Sequence, residues 1–146
     1  MKALLQRVST AQVVVDGNTE GAIDAGLLVL VGIEPDDNPQ RVRRMVERLL
    51  NYRVFPDRDG RMNLSLRDTG GGLLLVSQFT LAADTRKGNR PGFSTAAAPE
   101  QAETLFNAMV QAAQAAHTGH VATGVFGANM AVSLCNDGPV TFLLET

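Results

Sequence analysis

Gly72–Leu81, GLLLVSQFTL, decides how the rest of the chain must be arranged. Four successive aliphatic residues, Leu73 to Val76, follow a glycine and end abruptly at Ser77-Gln78-Phe79-Thr80. An unbroken apolar run of this length, without polar alternation, predicts a strand buried on both faces. Its polar end then emerges rigidly at the rim of the core, with side chains and backbone N–H groups held in place. Sites are built where a rigid element meets solvent, so function is expected at Ser77 to Thr80.

Working outward, a second such run, Gly26-Leu27-Leu28-Val29-Leu30-Val31-Gly32, is expected to lie beside the first. Leu4 to Val15 is strand-like and closes on Asp16-Gly17, a hairpin signal, before a return through Gly21 to Ile23. Asp37-Asn38-Pro39 reads as an N-cap followed by proline in the first helical turn. Val42, Met45, Val46, Leu49 and Leu50 then form an apolar helical stripe. Arg41, Arg43, Arg44, Glu47 and Arg48 fall on the opposite face, most simply a solvated one. Arg53-Val54-Phe55 suggests a short strand and Pro56 to Gly60 a turn. Asp57 and Asp59 lack the further oxygen ligands of a calcium loop. A second amphipathic helix starts at Pro99, with Ala102, Leu105, Phe106, Met109, Val110 and Ala113 on one face. Strands are expected again at Val121 to Gly124, Ala128 to Cys135, and Val140 to Leu144 after the turn Asn136-Asp137-Gly138-Pro139. Two amphipathic helices among strands without strict alternation predict a single α+β domain over residues 1–146. Its sheet is expected to be mostly antiparallel, or an open barrel.

Composition narrows the function classes. At 146 residues the chain can bury roughly two thirds of its unfolded surface without a staple. No apolar stretch approaches the roughly 20 residues of a membrane span, and the first residues are too short in apolar content for a signal peptide; a cytoplasmic protein is the default expectation. His117 and His120 have no companions at metal spacing and Cys135 cannot form an internal disulfide, so no structural metal is expected. A formal charge of −2 argues against indiscriminate nucleic-acid binding but leaves room for a local basic patch.

Conventional nucleophilic catalysis needs a base beside the nucleophile, and little here supplies one. His117, His120 and Cys135 read as structural, Cys135 as a small hydrophobe in an apolar strand. Thr80 is a candidate nucleophile, with β-propensity the plainer account of it. Ala83 to Phe93 carries Arg86, Lys87 and Arg90 among glycines, a composition suited to an anion such as phosphate, or simply to a charged surface loop. Gly138-Pro139 is ordinarily a turn, yet X-Pro is the one peptide bond in which cis is cheap. A cis bond would turn both neighbouring carbonyls to one side, where they could accept from an amine.

Five segments in order along the chain carry a resemblance. Gln6-Arg7-Val8, Ser77-Gln78-Phe79-Thr80-Leu81, Lys87-Gly88-Asn89-Arg90-Pro91, Gly124-Val125-Phe126-Gly127-Ala128-Asn129-Met130 and Asn136-Asp137-Gly138-Pro139-Val140-Thr141 together closely resemble the D-aminoacyl-tRNA deacylases. Gly92 departs from the pattern, which has serine before Phe93. The resemblance implies a cofactor-free homodimer that hydrolyses the ester of D-aminoacyl-tRNA, and also of glycyl-tRNA. Gly138-Pro139 would reach as a cis peptide into the partner's site to bind the substrate. Arg7 would hold that peptide. Ser77, Gln78, Phe79 and Thr80 would form the pocket wall around the terminal adenosine and the ester of the aminoacyl-tRNA 3′ end, Gln78, Phe79 and Thr80 as the catalytic residues. Phe126 and Met130 would line the pocket, and Lys87 would lie near the tRNA end. On this view the L-substituent is excluded by main chain, the Phe79 and Thr80 N–H groups stabilise the oxyanion, and the ribose 2′-hydroxyl assists water. Two other readings compete: a non-catalytic RNA- or anion-binding dimer using Arg86, Lys87 and Arg90, and a hydrolase of small acyl substrates.

Overall fold

A computed structural model describes residues 1–146. Eight strands and three helices follow one another as β1 (Lys2–Val15), β2 (Asn18–Ile23), β3 (Gly26–Gly32), α1 (Pro39–Asn51), β4 (Phe55–Pro56), β5 (Met62–Leu64), α2 (Leu66–Thr69), β6 (Gly72–Ser77), α3 (Pro99–Ala116), β7 (Val121–Thr123) and β8 (Ala131–Glu145). A 3₁₀ turn, Phe79–Ala82, follows β6 directly. The α+β class is as expected, and no helix is long and apolar enough to cross a membrane.

The strands β2-β1-β3-β6-β7 lie side by side, and β8 runs along β1. β1 is antiparallel to β2, β3 and β8, whereas β3–β6 and β6–β7 are parallel. The mixed sheet almost closes into a barrel: a side chain at Gly21 in β2 would overlap the carbonyl oxygen of Thr123 in β7.

The two apolar runs are adjacent, paired from Gly26↔Gly72 to Val31↔Ser77. Successive residues of a strand face opposite ways, and here both faces are covered. Leu27, Val29, Val31, Leu73 and Leu75 enter a core with Met45 and Leu49 of α1 and Phe106 and Met109 of α3. Leu28, Leu74 and Val76 enter a second core with Val8, Ala11, Val13 and Ile23 inside the curved sheet. Each fully buried aliphatic side chain contributes roughly 1.5–3 kcal/mol, so these two strands dominate the stability of the sheet.

α1 begins as its sequence indicates. The Asn38 side chain accepts from the N–H groups of Gln40 (3.0 Å) and Arg41 (3.1 Å), a cap typically contributing about 1 kcal/mol. Val42, Met45, Val46, Leu49 and Leu50 are the buried residues. At the far end of α3, His117 Nε2 donates to the Gly71 carbonyl (2.8 Å), so this buried histidine ties the helix to the entry of β6, in keeping with its structural reading.

Three features differ from the sequence expectations. α2 is a short helix that amphipathic periodicity does not detect. It is held by a capping box in which the Asp68 carboxylate accepts from the Ser65 N–H (2.7 Å), and it ends at Gly70 with φ 66°. The Ser65 hydroxyl and N–H hold the Asp68 carboxyl below the usual carboxylate range.

The two C-terminal strands are one strand, β8, starting at Ala131. Both halves pair with the continuous β1, with Gln6↔Thr141 and Val8↔Asn136, so the intervening residues bulge outward opposite Arg7 instead of reversing the chain. Asn136 secures the bulge, accepting from Val140 N–H (2.8 Å) and donating to Thr141 Oγ1 (2.8 Å).

Cys135, expected to be buried, is exposed, because β8 pairs only with β1 and its middle is not packed into either core. Leu134, Phe142 and Leu143 are also exposed along this strand.

Candidate active site

The polar end of β6 opens into a cavity of about 430 Å³. Its wall brings together Ser77, Gln78 and Phe79 with Phe126 and Met130 from the segment between β7 and β8. Sequence reasoning missed Val31 and Ile33 at the end of β3, Ala97, Pro99 and Ala102 at the entry of α3, and Asn129. Asn129 lay within a quoted motif, as did its neighbours Gly127 and Ala128, which also line the wall. The β3 and α3 residues are apolar, and their role depends on where two separate elements meet the end of β6, which no local pattern encodes.

Ten of the fifteen lining residues are hydrophobic and none is Asp, Glu, His, Cys, Lys or Arg. Any charge that develops here must therefore be met by dipoles or by the substrate. The backbone supplies candidates. The Gln78 N–H bonds to the Val31 carbonyl (2.7 Å), continuing the β3–β6 ladder by one residue. The chain then turns into the 3₁₀ segment, leaving the N–H groups of Phe79 and Thr80 without a carbonyl partner in the chain. Two adjacent free donors at a pocket rim are the kind of group that stabilises an oxyanion.

Thr80 sits in this exposed turn and not in a strand. Its hydroxyl oxygen accepts from Gln78 Nε2, and no base lies within hydrogen-bond reach to take its proton. The Phe79 ring is 58% exposed and leans on Phe93, with centroids 5.1 Å apart. This pair connects the pocket rim to the basic loop.

That loop is pinched off by main-chain bonds between Asp84 and Gly92 (2.8 and 3.0 Å). Arg86 is engaged with Asp84 (2.8 Å), which holds the Asp84 carboxyl well below its ordinary range, so Lys87 and Arg90 carry the uncommitted charge. At Gly92 a Cβ would find its nearest neighbour 3.8 Å away. Serine would fit there, and the departure from the family pattern leaves the loop closure intact.

Gly138 and Pro139 are not brought into this pocket within the one chain. They lie on the bulge of β8, exposed, and joined by a cis peptide bond. Arg7 anchors that bulge: its Nε donates to the Asp137 carbonyl (2.9 Å) while Nη1 donates to the Val54 carbonyl (2.6 Å).

Fold and pocket thus describe an α+β protein whose candidate site is walled mainly by apolar side chains, with Ser77, Gln78 and Asn129 as its polar ones. The chain belongs to the D-Tyr-tRNA(Tyr) deacylase family, whose model matches residues 4–145. It is 64% identical to a D-aminoacyl-tRNA deacylase of Ectopseudomonas mendocina, over 99% of each chain. It is 61% identical to one from Teredinibacter turnerae over the full length of both. Among solved structures it superposes on a c-Myc DNA unwinding element binding protein with a TM-score of 0.96 and 41% identity, covering 100% of this chain and 99% of that one.

Proposed function

We propose that this chain removes D-amino acids from tRNA in the pocket at the end of β6, working where tRNA is, in the cytoplasm. The family match makes it a hydrolase of aminoacyl-tRNA, and the pocket's lack of any titratable side chain is the observation that carries the mechanism. Water attacks the ester carbonyl carbon. The resulting oxyanion is met by the Phe79 and Thr80 N–H groups, each good donor contributing roughly 3–4 kcal/mol. The bond to the ribose 3′ oxygen breaks, and the neighbouring 2′-hydroxyl relays the water's proton to that leaving oxygen. Free amino acid and tRNA result. Ser77 and Gln78 wall the terminal adenosine and ester, Phe126 and Met130 line the remainder, and Lys87 meets the incoming phosphates.

Chirality is read by carbonyls. The exposed Gly138-Pro139 bulge of one subunit enters the partner's pocket and accepts from the substrate α-amino group, leaving an L-substituent directed into backbone. Glycine has no substituent to exclude and is removed as well. The open edge of β8, which pairs only with β1, and the exposed Leu134, Phe142 and Leu143 along that strand support pairing of two copies, since a long unpaired edge strand is a template for association.

One tRNA charged separately with D-tyrosine, L-tyrosine and glycine tests this. Rapid loss of the D- and glycyl esters with the L-ester spared is the expected result. Equal loss of D and L would remove the main-chain filter. Binding of the tRNA without release of any ester would favour a binding protein instead. Thr80→Ala is expected to retain near-parental turnover, whereas loss of a true nucleophile costs on the order of a millionfold in kcat. Trapping of an acyl-enzyme on the parent protein would reverse that conclusion.

A further inference from the structure

Eight of the chain's thirteen cations, all arginines, and only four of its fifteen acids lie between Pro39 and Thr69. A molecule of net charge −2 is thus strongly polarised, and the polarisation coincides with one structural layer: α1, the β4–β5 hairpin and α2. Three of these arginines are committed within the protein, Arg41 to Asp37, Arg48 to the Glu145 carbonyl and Arg53 to the Asn63 carbonyl. The other five, Arg43, Arg44, Arg58, Arg61 and Arg67, are exposed and have no side-chain partner. The nearby Asp57 forms no ion pair with them; its carboxylate accepts from the Asp59 and Arg61 N–H groups and the Asn63 amide.

We infer that this arginine layer holds the phosphate backbone of the tRNA body while its 3′ end occupies a pocket. Guanidinium groups match phosphate oxygens two at a time, which a lysine cannot do, and every cation of the layer is arginine. The layer also lies beside the bulge of β8: Arg7 bridges the Val54 and Asp137 carbonyls, and the Tyr52 ring packs edge-on against Phe142, centroids 5.7 Å apart. Resting on the proposed dimer, the layer of one subunit flanks the pocket of the other, where a tRNA leaving that pocket must pass.

The test replaces Arg43, Arg44 and Arg67 together with glutamine and measures affinity for uncharged tRNA against salt. The slope of log K on log salt is expected to fall by about two to three, one per lost phosphate contact. KM for D-aminoacyl-tRNA should rise about tenfold with kcat held, as for lost uniform binding. Turnover of a D-aminoacyl ester of adenosine alone, which cannot reach the layer, should be unchanged, and the triple lysine variant should keep the parental slope. A glutamine variant with parental slope and KM would overturn the inference. So would duplex DNA bound as tightly as tRNA with the same loss, which would mark a general polyanion surface. If the parent released neither ester yet the slope still fell, the layer would stand and the catalytic reading would fail.

Discussion

In a Gly138→Ala variant, hydrolysis of the D-ester is expected to fall about 100-fold, the scale associated with a displacement of about 1 Å in a positioning group. Gly138 has φ 140°, a conformation that L side chains rarely adopt. An added Cβ would lie 2.7 Å from Val140 Cγ2 and 3.1 Å from Arg7 Nη2. The bulge must shift, or Arg7 must release it. Either response moves the carbonyls proposed to receive the α-amino group, and the D-to-L rate ratio should narrow with the rate. The segment is exposed and outside both cores, so the melting temperature should change by only a few degrees, the effect of about 1 kcal/mol in a domain of this size. Single-turnover deacylation with both enantiomers, beside a thermal melt, separates the two effects. A parental rate with parental selectivity would remove the bulge from the site.

Gly26→Ala is expected to act on the fold instead. Gly26 faces Gly72 at the start of the parallel β3–β6 pair, and an added Cβ would overlap the Gly72 carbonyl oxygen and lie 2.6 Å from its nitrogen. Backbone meets backbone there, and no side chain can swing aside. Gly72 cannot retreat either, since its own Cα already faces the Ile23 side chain, where a Cβ would come within 2.8 Å of Ile23 Cβ. Overpacking a rigid core typically costs 1–3 kcal/mol, and this site should lie at about 3 kcal/mol or above. Urea unfolding reads it as a lower midpoint at unchanged slope. Gly92→Ser, whose added Cβ meets nothing closer than 3.8 Å, serves as the control and should stay within about 0.5 kcal/mol of the parent. A loss for Gly26→Ala no larger than the control's would show that the two strands can part at that end.

What the sequence revealed and what it hid have a common physical basis. β3 and β6 were legible because burial on both faces leaves an unbroken apolar run, and α1 because Asn38, Pro39 and a periodic stripe agree. The single strand β8 was not: Asn136 to Pro139 has turn chemistry, and only the long β1 opposite shows that the chain resumes pairing after the bulge. Cys135 was misplaced for a related reason. Apolar character in a strand implies a covered face, but sequence does not say whether a layer of the same chain provides the cover. α2 did carry a local signal, Ser65 and Asp68 three apart with Gly70 after them, on a helix too short to show periodicity. The pocket was half legible. Ser77 to Phe79 could be found from the end of a buried strand, whereas Val31, Ile33 and Pro99 join the wall only through the meeting of elements far apart in the chain.

One guanidinium, that of Arg7, clasps two carbonyls from segments far apart in the chain, at Val54 and Asp137. Peptide groups cannot be exchanged by point mutation, so a recognition surface made of them is protected from the most common kind of genetic change. It can only be moved. Tolerance toward different amino acids would then drift through residues such as Arg7 that touch no substrate, and a lapse in stereochemical discrimination would first be sought in the scaffold behind the reading groups.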